Sequence, residues 1–272
     1  MQLLTMLTQA PLLLAEFDAI DQDWRESYRR YKNVFQDINV EDILFQRKVI
    51  SKKIAKDIAD QQYHYQAGMP RMIKVGKKER LVVPLMITDY VVQRLVCQFL
   101  AVRLEKIYSS QCFSYRKGCS SYQAVKQVVN KLQGAELLKN KNKHNDFYVY
   151  QTDLVNYTDS IPTDEAAPLW KLIDNMFKQC HLHNLTEYEK SLIYGAILPK
   201  VKEGKIKGVP MGSPLTSLVA NLYLTQLDHK IQAYANGLYI RYGDDIFFMH
   251  PDHNVVLECR NQIIKEVNTL GL

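Results

Sequence analysis

Asp244 and Asp245 stand side by side in the run LYIRYGDDIFFM, residues 238–249, with apolar or aromatic residues on both sides. The flanks predict two β-strands joined by a tight turn, and Gly243 can take the positive φ such a turn requires. Neighbouring carboxylates repel and raise each other's pKa. A bound divalent cation removes that cost. The pair therefore reads either as a Mg²⁺ site or as an ordinary Gly-Asp surface turn.

A second acidic segment, FYVYQTDLVNYTDSI (147–161), shifts the balance towards metal chemistry. Phe147, Tyr148, Val149 and Tyr150 predict a buried strand, and Asp153 closes it. Two-metal phosphoryl transfer needs carboxylates from separate strands around two cations about 3.5–4 Å apart. Asp153, Asp244 and Asp245 meet that demand. Asp159 lies beyond the strand and is expected at the start of a short helix before Pro162.

A third segment, KGVPMGSPLTSLVANLYLTQLDHKI (207–231), breaks regular structure at Gly208, Pro210, Gly212 and Pro214. A helix should begin near Thr216, with Leu218, Val219, Leu222, Leu224 and Leu227 forming an apolar face. A glycine-rich loop opening a helix offers free backbone N–H groups to a nucleotide. The same residues also make a plain turn before a core helix.

These elements need a scaffold. Residues 1–70 are expected to form an N-terminal helical region, including WRESYRRYKNVF and DILFQRKVISKKIAKDIADQQ. A basic mixed segment follows over 71–145, helical from Thr88 to Tyr108 and from Ser120 to Leu138. Lys74, Lys77, Lys78 and Arg80 surround Gly76 and predict a basic hairpin. Lys139, Lys141 and Lys143 read as a solvated loop. The last segment, 146–272, holds all three candidate acids.

In this order the segments resemble reverse transcriptases, specifically the bacterial group II intron, retron and defence-associated lineages. RLVVPLMITDYVVQRLV (80–96) resembles the family's fingers segment, and SYRKGCSSYQAV (114–125) its Phe-Arg-Pro-Gly-Arg-Ser region. TDLVNYTDSI resembles the first catalytic strand, GVPMGSP the Pro-Gln-Gly loop, and YGDD the Tyr-x-Asp-Asp box. The resemblance implies an α+β right-hand polymerase, with an antiparallel palm sheet at 146–272 and helix-rich fingers at 71–145. It implies an RNA-directed DNA polymerase that adds dNTPs to a primer 3′-OH with two Mg²⁺ ions. Asp153, Asp244 and Asp245 would be both the catalytic and the metal-binding residues. Lys74, Arg80, Leu154, Tyr157, Thr158, Met211 and Gly212 would bind the nucleotide; Arg116, Lys117 and Tyr242 would bind nucleic acid. The implied partners are an RNA template, a DNA or RNA primer and dNTPs, with a cognate noncoding RNA or a thumb-supplying chain as further candidates. Rival readings are an RNA-dependent RNA polymerase and a non-catalytic nucleic-acid-binding relative.

Three departures from the family pattern stand out. Met211 replaces the usual loop glutamine. Thr158 occupies the second aromatic position after Asp153, which resembles the gate against a ribose 2′-OH. The chain closes on Leu270, Gly271 and Leu272, where the family continues into another strand and a thumb. The thumb is thus expected to be absent, and Ile263, Ile264 and Val267 are expected to be left uncovered.

Composition agrees with a globular nucleic-acid partner. The 272 residues carry a formal net charge of +6, 47% hydrophobic and 24% charged residues, which favours a polyanionic ligand and excludes a disordered chain. The five cysteines are scattered, odd in number and without a CxxC pair, so they read as reduced cytosolic thiols. Cys180, His181 and His183 have no second ligand pair nearby and read as a helix end. No apolar run is long enough for a membrane span, and the N-terminus lacks the basic flank of a signal peptide.

Overall fold

The computed structural model describes residues 2–26, 35–36, 39–75, 78–137, 146–204, 206–234 and 236–272. Most of WRESYRRYKNVF, together with Gly76, Lys77, Lys139, Lys141 and Lys143, lies outside them. The chain divides into two compact units, one of Met1–Arg103 with Phe177–Val219, the other of Leu104–Met176 with Ala220–Leu272. The units interleave in sequence: 1–70 lies within the first, whereas 71–145 and 146–272 each contribute to both.

The first unit opens with four helices: α1 (Leu3–Leu7), α2 (Ala10–Glu26), α3 (Val40–Phe45) and α4 (Arg47–Ala59). Leu13, Phe17 and Ile20 of α2 and Ile54, Ala55 and Ile58 of α4 are buried at i, i+3, i+4 spacing, as one apolar helix face requires. Glu16 shares that face of α2 and is matched by Arg94 and Gln98 of α5 (Ile87–Leu104). The expected basic hairpin forms from β1 (Arg71–Val75) and β2 (Lys78–Val82), with Ile73 opposite Arg80 and Lys74 opposite Glu79. Helix α9 (Glu187–Ile197) starts at a capping box in which Thr186 and Glu189 satisfy each other's backbone N–H.

The second unit holds α6 (Ser121–Leu137), α7 (Tyr157–Ser160) and a sheet of β3 (Tyr148–Thr152), β4 (Leu238–Tyr242) and β5 (Asp245–His250). The strand order is β3-β5-β4, antiparallel throughout. Helix α11 (His253–Thr269) packs on β3 and β5, burying Val256, Cys259 and Ile263. Phe113, Ala124 and Ile240 form a small core with Val128, Leu238 and Phe247 packed on it. The division between units falls within α5, α8 (Pro168–Gln179) and α10 (Thr216–Ile231). Helix α10 begins at the expected Thr216 and buries all five predicted apolar residues.

Two expectations need correction. Strand β3 is not buried: it is an outer strand with one neighbour, and Tyr148 and Val149 are about half exposed. Its apolar composition encodes a pleated surface, not a position in the sheet order. Ile263 is not uncovered either. At 2% exposure it belongs to the face of α11 that meets the sheet, whereas Ile264 is turned outward.

Candidate active site

The site is built on the β4–β5 turn. Tyr242 pairs with Asp245, so Gly243 and Asp244 are the two turn residues. Gly243 has φ +68° and Asp244 does not have positive φ, the pattern of a type II′ hairpin turn with glycine first. On the other side of β5, Thr152 pairs with Ile246. Continued by one residue, that register sets Asp153 opposite Asp245. Like charges directly opposite across a strand pair destabilise a sheet. Accordingly, the Asp245 carboxyl is pushed above its usual pKa by partial desolvation first, then by the charges of Asp153 and Asp244.

All three acids are exposed to solvent. Among the described residues, no three His, Cys, Asp or Glu side chains form a ready-made metal cage. The chemistry of the donor set nevertheless fits a hard divalent cation, since Mg²⁺ prefers carboxylate oxygens and keeps several waters. Repulsion among neighbouring carboxylates is the kind of cost that such a cation removes.

Beneath the turn lies a polar network that the sequence reading did not single out. Arg241 Nε and Nη2 donate to Asp228 Oδ1 and Oδ2, each at 2.7 Å, and both side chains are fully buried. Nη1 donates to Asn221 Oδ1 at 3.2 Å and to the Gly243 carbonyl at 3.0 Å; Nη2 also reaches the Asn221 carbonyl at 3.2 Å. All five guanidinium N–H groups are thereby used. Burial disfavours the Arg241 charge, but Asp228 outweighs it and holds the pKa well above the ordinary arginine value. Tyr239 Oη donates to the same Asp228 oxygen at 2.7 Å.

Ser114 completes the clamp. Its hydroxyl accepts the Gly243 N–H at 2.8 Å and donates to Asn221 Oδ1 at 3.0 Å, while Asn221 Nδ2 donates to the Ser114 carbonyl at 2.7 Å. The Gln111 carbonyl accepts the Arg241 N–H, and the Arg241 carbonyl accepts the Phe113 N–H, each at 2.9 Å. The 111–113 stretch thus covers the outer edge of β4. The signal for this network was present in the sequence as one arginine inside an apolar strand and one aspartate on an apolar helix.

The remaining candidates separate by position. In the second unit, Lys117 and Tyr242 are exposed. Arg116 is committed inside its own loop: its guanidinium forks onto Glu105 and donates to the carbonyls of Ser109 and Cys112. Tyr157 does not face a ligand, because it is 5% exposed and its hydroxyl donates to the Ala220 carbonyl at 2.6 Å. Leu154 and Thr158 are half-buried. Asp159 sits in the first turn of α7, as expected.

In the first unit, the structure brings Met211 and Gly212 against the basic hairpin. Met211 bridges to Val82, and a Cβ on Gly212 would meet Val82 Cγ1 at 3.3 Å. Helix α5 holds this loop through two residues one turn apart: Gln93 Oε1 lies 3.0 Å from the Ser213 hydroxyl, and the Cys97 thiol donates to the Pro214 carbonyl at 3.3 Å. Burial pushes the Cys97 pKa up to about 11, so the thiol keeps the proton it donates. Lys74 is exposed on β1, and Arg80 is half-buried on β2.

Two solved structures share this architecture. The apo telomerase of Candida tropicalis truncated from its C-terminal domain superposes with a TM-score of 0.54 at 15% identity, over 76% of this chain and 48% of that one. Telomerase from Candida albicans, in complex with a fragment of telomeric RNA, gives 0.54 at 13%, over 78% and 40%. The fold is like that of these telomerase chains. By sequence, an uncharacterized 91 kDa protein in the cob intron of Schizosaccharomyces pombe is 25% identical over 185 residues, 66% of this chain and 20% of that protein. No family model matches the chain. The chain therefore spans a fifth of the fission-yeast protein and less than half of the two telomerase chains. Among the described residues no helix is long and apolar enough to cross a membrane.

Proposed function

We propose that the chain carries the fingers and palm of an RNA-directed DNA polymerase, which extends a primer 3′-OH with dNTPs on an RNA template. The observation that carries this reading is the β3–β5 pairing that ends at Thr152 and Ile246, one residue short of Asp153 and Asp245, with Asp244 on the adjoining turn. Asp153, Asp244 and Asp245 would hold two Mg²⁺ ions, whose chemistry is to activate the primer hydroxyl and to neutralise the triphosphate and leaving pyrophosphate.

The protein's own groups then divide the remaining work. On the hairpin of the first unit, Lys74 and Arg80 would supply positive charge for a phosphate group. Met211 and Gly212 shape the surface beside it, and the absence of a Cβ on Gly212 lets the loop lie close to Val82. Thr158 offers less bulk than an aromatic gate and would contact the sugar with Leu154. Lys117 and Tyr242 are exposed and suited to the nucleic-acid strand. The buried Arg241 network keeps the turn in one geometry, which limits reorganisation at the reacting centre.

The test is primer extension by the purified protein on an RNA template with Mg²⁺, offering dNTPs and rNTPs in separate reactions. Extension with dNTPs, abolished by Asp244→Asn while folding and nucleic-acid binding persist, is expected. Near-normal extension by Asp244→Asn would sink the assignment of the acids. A preference for rNTPs would favour an RNA polymerase instead.

A further inference from the structure

Tyr115 adopts a backbone conformation that its own packing does not repay. Its φ is +54°, the left-handed region that bulky L residues avoid. Such strain persists where the neighbours over-determine it, and here they do. Ser114, one residue before, is buried and bonded to Asn221 and Gly243. Arg116, one residue after, is forked onto Glu105 and the loop's own carbonyls. Between these anchors Tyr115 is 67% exposed, so burial returns little of the strain. Glycine would satisfy the backbone better. A tyrosine held there points to a use for the ring.

The surroundings say what use. A Cβ built on Gly243 would lie 3.9 Å from both Cε2 and Oη of Tyr115, which puts the ring's hydroxyl end against the carboxylate turn. Partial desolvation, then the charges of Asp244 and Tyr242, push the phenol pKa up. Tyr242 is also exposed at the turn. An aromatic face is therefore displayed beside the three acids, in a place where a phosphate alone would be repelled.

We propose that Tyr115 is a substrate-contacting residue, an aromatic wall on which the nucleobase at the reacting end of a bound primer stacks. Stacking suits this position because every base has a π face, and a polymerase must accept all of them. The inference rests on the polymerase reading and adds to it a specific contact.

The experiment compares wild type with Tyr115→Phe and Tyr115→Gly. Thermal stability is measured on the free protein. Binding is measured with an RNA-template, DNA-primer duplex carrying 2-aminopurine at the primer 3′ end, with Ca²⁺ present to prevent turnover. Tyr115→Phe should match wild type in stability, affinity and fluorescence quenching. Tyr115→Gly should keep its Tm or gain about 1–4 °C as the strain is relieved, yet bind roughly 5- to 100-fold more weakly and lose the quenching. Two results overturn the inference: a Tm for Tyr115→Gly more than about 4 °C below wild type, which marks a structural anchor, or binding and quenching equal to wild type. If wild type itself neither binds nor extends the duplex, the polymerase reading fails and takes this contact with it. If wild type binds and extends but Tyr115→Gly is indistinguishable in binding, only the contact fails.

Discussion

Arg241 and Asp228 meet in a two-pronged ion pair with no solvent exposure on either side chain. A buried ion pair is weak evidence for stability, because desolvation offsets most of the attraction. What distinguishes this one is where the other donors go: to Asn221 and to the carbonyl of Gly243, the first residue of the carboxylate turn. The pair joins the apolar helix α10 to the hairpin, with Tyr239 and Ser114 closing the network. A lysine could not replace Arg241, since it lacks the planar fork and two of the five donors.

Removal of one partner should be severe. Asp228→Ala leaves an uncompensated guanidinium and an unpaired Tyr239 hydroxyl in the core, at a cost of about 3–5 kcal/mol. Urea titration and thermal melting should show that loss, on the order of 10 °C in Tm. Stability within about 1 kcal/mol of wild type would mean the pair is dispensable.

The acid cluster should make stability depend on pH in a defined direction. The Asp245 pKa is raised in the folded state, so folding favours its protonated form. The associated stability is present below the unfolded aspartate pKa and is lost as pH rises through the folded value. Asp245→Asn should therefore melt higher than wild type at pH 7 without divalent cations, and the gap should close as pH falls below about 4. A lower melting temperature for the variant at pH 7 would contradict a raised Asp245 pKa in the folded state.

Tyr157 and Thr158 should behave differently despite adjoining in sequence. Tyr157→Phe removes one bond to the Ala220 carbonyl, which keeps its helical partner, and should cost about 0.5–1.5 kcal/mol, with no change in the ratio of rNTP to dNTP incorporation. Thr158→Phe should lower that ratio and leave stability nearly unchanged. If the ratio moves with Tyr157 and not with Thr158, the sugar contact lies at the buried residue after all.

Gly212→Ala should weaken the loop that lies on the hairpin. The position has φ +106°, and the added methyl would press on Val82 Cγ1 at 3.3 Å. A loss of about 1–3 kcal/mol is expected from strain alone, with a raised KM for the incoming nucleotide. An unchanged KM in a folded Gly212→Ala protein would remove this loop from the nucleotide site.

The two carboxylate segments, their strands and the turn between Asp244 and Asp245 were legible in the sequence because each is local. A two-residue hairpin with glycine first declares itself within six residues, and the α10 face repeats at helical spacing. Sequence likewise announced the β1–β2 hairpin through its flanking apolar runs. Tertiary structure alone decided what lies beneath and beside them. That β3 is an outer strand follows from the β3-β5-β4 order, which no property of Tyr148 or Val149 encodes. Tyr157 is core and Thr158 is not, because α10 passes where the Tyr157 hydroxyl can reach Ala220 across 63 residues of chain. Arg116 reads as a nucleic-acid contact until Glu105 is seen to take its fork. Arg241 and Asp228 are 13 residues apart; Arg241 interrupts an apolar strand, and Asp228, with Asn221 and Thr225, interrupts the buried face of α10. Either interruption alone reads as an anomaly; only the fold puts one charge within 2.7 Å of the other, in a place from which water is excluded.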